Sequence, residues 1–289
     1  MNRLIGCVLA LFILLTSAHA DNFTNAENAT TTITGKLRTS STSLPDGINI
    51  LAYRIDGNMT NGFSGEVSGE VHGDSFQITL SPGKYLVCAK APEWKTIGHL
   101  VVVPTSVTSI ELVLFPEHGS NKALSEELEK MQAADQDARM CWIQSNAQAH
   151  GQEVSEVDAK NRTRLREIIK ENGWPSAGQV GLNGVNAVWL MIQHAPEFIK
   201  EYLPYMKASA ENNEIPWSTV ALSIDRDLIH DEKKQLYGSQ AKLVDGKVEL
   251  LPVEDESHLD ERRAKLGMDS IEEYKKGLLK MYTPKPVTN

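Results

Sequence analysis

The chain has 289 residues, 41% of them hydrophobic and 23% charged, with 38 acidic against 29 basic side chains for a net charge of −9. That length and apolar share suit one or two globular domains with buried cores. The acidic balance and the lack of any basic cluster argue against nucleic acid and anionic membrane surfaces as partners.

The chain opens with Arg3, an apolar run from Leu4 to Leu15, and Ala18-His19-Ala20. A charged start, an apolar stretch and an A-x-A site in that order make a signal peptide over residues 1–20. The run is too short to span a bilayer, and no later apolar segment reaches spanning length. The expected product is a periplasmic or secreted soluble protein starting at Asp21, with no integral membrane segment after cleavage. Residues 21–30, rich in Asn, Thr and Ala, are expected to be disordered. The mature chain keeps Cys88 and Cys141. An exported pair can form a disulfide, but these two fall in different predicted domains and their pairing stays open. Neither has the spacing of a metal knuckle.

Residues 31–116 read as short β runs separated by turn residues. The runs are Thr32 to Leu37, Ile48 to Tyr53 after Pro45-Asp46-Gly47, the alternating Phe76, Ile78 and Leu80, Tyr85 to Ala89 after Ser81-Pro82-Gly83, His99 to Val103, and Ser109 to Leu114. Six or seven strands over roughly 85 residues predict a small all-β antiparallel sandwich. The stretches ITGKL, GINILAY and DSFQITLSPGKYLV resemble the carboxypeptidase-regulatory, transthyretin-like domain. That resemblance implies a structural or binding module and no catalysis.

Phe115 to Ser120 is a linker. Residues 121–282 then turn mainly helical with one β-hairpin. Leu124, Leu128, Met131, Asp135, Ala138 and Trp142 recur at steps of four and three, a helical stripe with an aspartate inside it. Arg139 follows Asp135 by four residues, in ion-pairing register. A second helix covers about Val154 to Glu171, with Val157, Leu165 and Ile168 inward; Asn172-Gly173 ends it and Trp174-Pro175 blocks continuation. A Gly-rich connector, Ala177 to Gly184, leads into Asn186 to Ala195. That helix is apolar nearly all round, as a buried helix is. At about 100° per residue, Asn183, Asn186, Gln193 and His194 interrupt it as one polar stripe. Pro196 ends it just after His194.

Phe198, Tyr202, Leu203 and Met206 mark another helix, whose last turn Pro204 makes uncertain. Pro216-Trp217-Ser218 opens the next, with Asp225-Arg226 set among apolar residues. Asp245-Gly246 predicts a type I′ hairpin turn, pairing Leu243 with Val248, Lys242 with Glu249 and Ala241 with Leu250. Asp269-x-x-Glu272 reads as a capping box starting a last helix. A polar tail follows from Thr283.

Between Leu124 and Tyr274 the chain shows Asp135-Gln136 with Arg139, Trp174-Pro175, Gln193-His194-Ala195, Asp225-Arg226, Tyr237-Gly238-Ser239-Gln240, and Asp260 with Arg262-Arg263 and Leu266-Gly267. This order resembles a bacterial domain family of unknown function with the pattern D-Q-x-x-R, W-P, Q-H-A, D-R, Y-G-[TS]-Q and D-x-R-R-x-x-[LM]-G. The resemblance implies grouping and no mechanism. The pooled residues define a candidate site around His194. Asp135 and Asp225 are its acid–base partners. Gln136, Arg139, Trp174, Gln193, Arg226, Tyr237 and Gln240 are binding residues.

Two functions fit. One is a binding or scaffold protein of the cell envelope, with an envelope ligand or protein as partner. The alternative is a hydrolase-type enzyme. His194 would be its general acid or base, oriented by Asp135 or Asp225, with Arg139 or Arg226 holding an anion. One histidine without H-E-x-x-H predicts no metal site. No P-loop or G-x-S-x-G is present, and no cofactor is expected.

Overall fold

The computed structural model describes residues 3–5, 30–55, 63–105, 107–145 and 148–282. Most of the expected leader, residues 21–29 of the expected disordered terminus and the tail from Thr283 lie outside the described residues. The first described strand, β1 (Arg3–Ile5), belongs with the C-terminal hairpin.

The region from 31 to 116 is β-rich. Its strands are β2 (Thr31–Thr39), β3 (Asn49–Ile55), β4 (Phe63–Ser68), β5 (Glu70–His72), β6 (Ser75–Leu80), β7 (Gly83–Ala91), β8 (Trp94–Lys95), β9 (His99–Val103) and β10 (Ser109–Pro116). They form one nearly closed sheet in the order β4-β3-β7-β8-β10-β2-β6-β5, with β9 added to β7. Alternation drives this. Ile33 and Leu37 of β2, Phe76, Ile78 and Leu80 of β6, and Tyr85 and Val87 of β7 point into one shared core. Gly35 is required at its place on β2, because a Cβ there would lie 2.2 Å from the Ile110 carbonyl oxygen and 2.4 Å from the Phe76 ring.

The expectation of a purely antiparallel sandwich is corrected. β10 runs parallel to β2, Ser109 beside Thr34 through Leu114 beside Thr39. Alternation looks the same whichever way the neighbouring strand runs, so direction is not written in either strand. β4 escaped the sequence reading because its exposure shows no alternation.

The second region contains α1 (Lys122–Ser145), α2 (Gln148–Asn172), α3 (Ala177–Gln193), α4 (Pro196–Glu211), α5 (Trp217–His230), β11 (Ala241–Val244), β12 (Lys247–Leu250), α6 (Leu259–Lys265) and α7 (Ile271–Tyr282). α3 is its axis. Val185, Ala187, Val188, Trp189, Leu190, Met191 and Ile192 are all buried, packed by α1, α2, α4 and β10. α2 ends as expected, with Gly173 at φ 73 and its N–H bonded to the Ile169 carbonyl at 2.9 Å.

Two expectations are corrected here, and the open question at Pro204 is settled. The segment from Ala177 is already helix, broken at Gly181, which sits at φ 70 and ψ 170. Helix α4 continues through Pro204 to Glu211; the inward stripe of Phe198, Tyr202 and Met206 holds it to the core. The capping box of α7 is displaced by one residue. Ser270 Oγ accepts from the Glu273 N–H at 3.4 Å, and Asp260 Oδ1 accepts from the Ile271 N–H at 2.7 Å. Asp269 instead pairs with Lys84 of the β-rich region at 3.3 Å, both side chains nearly buried.

The hairpin has the predicted register, with Asp245 at φ 49 and Gly246 at φ 73. β1 lies antiparallel against the other side of β11. Cys88 is buried and Cys141 exposed, and they form no disulfide. Among the described residues no helix is long and apolar enough to cross a membrane.

The linker is wedged against the start of α3. The Ser120 and Asn121 N–H groups donate to the Gly178 and Gln179 carbonyls at 2.9 and 2.8 Å. Lys95 Nζ reaches Asn183 Oδ1 at 2.8 Å. These contacts tie the β-rich region to the helix that carries His194 at its far end.

Candidate functional site

The stripe on α1 buries Leu124, Leu128 and Ala138, and Asp135 occupies the same face at 1% exposure. A carboxylate so placed needs partners, and three surround it. Its Oδ1 accepts from His194 Nδ1 at 2.9 Å, and its Oδ2 accepts from Gln136 Nε2 at 2.7 Å. Arg139 Nη1 lies 2.9 Å from Oδ1 in the expected i,i+4 register. That nitrogen meets no acceptor in hydrogen-bond alignment, so the contact is an ion pair. The other arm of Arg139 reaches α2, where Nη2 donates to both oxygens of Asp158 at 2.8 and 3.0 Å.

His194 caps the C-terminus of α3, its N–H bonded to the Leu190 carbonyl at 3.1 Å. Its ring is nearly enclosed, with the side chain 2% exposed. Burial pushes its pKa below the ordinary imidazole value; the Asp135 hydrogen bond opposes this, and the nearby Arg139 charge reinforces it. Burial also pushes the Asp135 carboxyl up, but the His194 hydrogen bond and the charges around it outweigh that and hold it below the usual range. The consistent arrangement is an ionised Asp135 accepting from Nδ1–H of a neutral His194. The other nitrogen, Nε2, is buried and has no hydrogen-bond partner among the described residues.

Asp135, Asp158 and His194 bring potential ligand atoms within 4.8 Å of one another. A metal ion is a poor fit to this set. The Arg139 guanidinium already lies across both carboxylates and supplies their countercharge. Burial raises the Asp158 carboxyl, and Arg139 pulls the other way.

Gln193 sits one residue earlier and faces α5. Ser223 Oγ donates to Gln193 Oε1 at 2.8 Å and accepts from Trp189 Nε1 at 3.0 Å. Arg226 donates through Nη1 to the Gln193 carbonyl at 2.7 Å and through Nη2 to Gln240 Oε1 at 3.1 Å. Gln240 Nε2 donates in turn to Ser239 Oγ at 3.0 Å. A continuous polar line therefore runs from α3 through α5 to the Tyr237–Gln240 loop.

Asp225 has a different task from the one expected. Its carboxylate accepts from the backbone N–H groups of Leu236 and Tyr237 through Oδ1 at 2.8 and 2.9 Å. It accepts from Ser239 through Oδ2 at 2.9 Å. Both oxygens serve the loop, so Asp135 alone orients His194. Burial raises the Asp225 carboxyl, opposed by these backbone hydrogen bonds.

Other buried groups, outside the candidate site read from the sequence, grip the same loop. Gln235 Nε2 donates to the Gln240 and Leu251 carbonyls, and Gln235 Oε1 accepts from the Gln240 N–H. Arg263, 1% exposed, donates to the Tyr237 and Asp269 carbonyls and lies over the Tyr274 ring at 4.8 Å. Tyr274 donates its hydroxyl to the Ser239 carbonyl at 2.8 Å, and burial pushes its pKa up to about 12. Tyr237 contributes mainly backbone: its N–H goes to Asp225 and its carbonyl to Arg263.

Trp174 stands apart from this cluster. It precedes α3, whereas His194 follows it. Its Nε1 donates to Ser209 Oγ at 3.1 Å and its ring stacks on Tyr205 at 5.3 Å. It is a packing residue at the opposite end of α3. Asn183, expected on the polar stripe, is likewise engaged by Lys95.

The depressed His194 pKa gives a pH prediction. The unfolded imidazole titrates near 6.5, above the folded one, so unfolding takes up a proton between the two values. The contribution of His194 is therefore complete above pH ~6.5 and is lost as the pH falls through the folded value. Urea midpoints of the wild-type protein should decline on acidification from about pH 6.5. The His194→Gln variant should lack that part of the slope; an identical slope in both would contradict the assignment.

A family model described as a family of unknown function, DUF6624, matches residues 122–286. Comparison with curated proteins and with solved structures returned no match.

Proposed function

The chain belongs to the DUF6624 family, a family of unknown function, and from this site we propose a binding or scaffold role in the cell envelope. The observation that carries it is the commitment of the cluster's charged groups to the protein itself. Asp225 holds the loop backbone, Arg226 bridges Gln193 and Gln240, and Arg139 lies between Asp135 and Asp158. Asp225, Arg226 and Arg139 are each at most 5% exposed. A guanidinium whose arms are spent internally is a poor clamp for an anionic substrate. Polar networks whose charged groups are engaged internally in this way fix one arrangement of a core.

On this reading the helical region is a rigid platform and the β-rich region, similar in sequence to carboxypeptidase-regulatory modules, meets the partner. The sequence at the start of the chain supports export to the periplasm or beyond.

One observation favours the alternative. His194 presents an unpartnered Nε2 with a carboxylate behind Nδ1, the arrangement of a general base. Purified protein offered chromogenic esters, phosphate esters, glycosides and peptides separates the two. The binding role expects no turnover beyond that of His194→Gln. Turnover that vanishes in a folded His194→Gln protein overturns it in favour of the hydrolase.

A further inference from the structure

The geometry points to a binding locus at His194 Nε2 that takes an uncharged hydroxyl group, from a small polyol-like ligand or from water. This goes beyond the proposed role, which places the partner on the β-rich region. With Nδ1 donating to Asp135, the neutral ring has only an acceptor left at Nε2. That acceptor is buried and no described residue donates to it. Leaving it unserved costs about 1–3 kcal/mol.

The surroundings select the donor. A metal cation or an ammonium group is disfavoured, because Arg139 and Arg226 already place positive charge near this ring and Arg139 occupies both acidic side chains. A carboxylate or a fully ionised phosphate has no proton to give. An amide N–H brings a carbonyl that needs its own donor: Gln136, Arg226 and Gln240 are engaged, and Arg139 Nη1 faces the Asp135 oxygen on the Nδ1 side of the ring, away from Nε2. A hydroxyl carries no charge to desolvate, and it both donates and accepts.

The test is long-range proton–nitrogen NMR of the full chain labelled with 15N-histidine at pH 7, with glycerol as the probe. The expected result is a neutral His194 protonated at Nδ1, with the Nε2 resonance shifted as for a hydrogen-bonded acceptor. A saturable change of that resonance with glycerol identifies a ligand hydroxyl. An unchanged shift with a cross-peak to a long-lived water identifies water as the source. An Nε2–H tautomer, an imidazolium, or the resonance of a free lone pair overturns the proposal.

Turnover in the chromogenic panel would sink the binding role without altering this tautomer. A reversed tautomer would sink the hydroxyl locus and leave the binding role standing.

Discussion

Asp225→Asn is expected to lower the stability of the helical region by about 1–3 kcal/mol, because in either amide orientation at least one buried N–H donor loses its acceptor. The residue is 0% exposed, and its carboxylate receives the N–H groups of Leu236, Tyr237 and Ser239. An asparagine of the same shape keeps one oxygen. Its NH2 group then faces a backbone donor: either Ser239, or Leu236 with Tyr237 left only its longer 3.2 Å contact to the other oxygen, according to how the amide turns. Neither orientation satisfies all three. The loop is also held by Gln235, Arg263 and Tyr274, so the damage spreads to groups that are themselves buried. Urea denaturation followed by tryptophan fluorescence should show a lower midpoint with little change in slope. A midpoint equal to wild type would mean that the loop does not depend on this carboxylate, and the structural reading of the network would lose its main support.

This site was partly legible because a polar residue on an apolar face is conspicuous. Asp135 stands in a stripe of leucines, and Gln193 and His194 interrupt the most apolar helix of the chain. Partnership was legible only where it was local. Arg139 lies one helical turn from Asp135, and the hairpin register follows from a two-residue turn. Asp158 was missed although its position had a signal. Val154, Asp158, Asn161, Leu165 and Ile168 are spaced four, three, four and three, and Val154, Asn161, Leu165 and Ile168 are buried. Val157, expected inward, is only half-buried beside that seam.

Tyr274 and Gln235 gave no comparable signal, and Arg263 entered only through the family pattern, with no role attached. Their partners are backbone carbonyls in a loop, and a carbonyl has no residue identity to read. The roles of the two aspartates separated for the same reason. Both sit among apolar neighbours, yet one meets an imidazole and the other a row of amides. In the β-rich region the strands were visible from alternation, whereas the parallel pairing of β10 with β2 depends on chain return over some 70 residues, which local pattern does not encode.

Gly181→Ala is expected to be the most damaging glycine substitution in α3, at about 3 kcal/mol or more, with Gly178→Ala near neutral as its control. Gly181 has φ 70 and ψ 170, a backbone region open essentially to glycine, where another residue stores about 1–3 kcal/mol of strain. A Cβ there would also lie 2.0 Å from the Glu117 carbonyl oxygen and 3.1 Å from the His118 nitrogen. Those are backbone atoms of the linker, so no side chain can rotate away, and either the linker or α3 must move.

Gly178 lies in the first turn of the same helix, and the atoms nearest its Cβ are 3.9 Å away. Alanine there gains up to about 1 kcal/mol of helix propensity without a clash. Both variants change glycine to alanine within three positions, so composition cancels between them. What remains is the backbone strain at Gly181 together with the contact between the linker and α3, and the cleavage of the linker reports the second. Proteolysis at Glu117 to Asn121 adds a local readout: Gly181→Ala should be cut faster than wild type and Gly178→Ala should not. Equal stability and equal cleavage for the two would mean that the β-rich region does not bear on the helix that carries His194. The Lys84–Asp269 and Lys95–Asn183 contacts would then be incidental to how that helix is held.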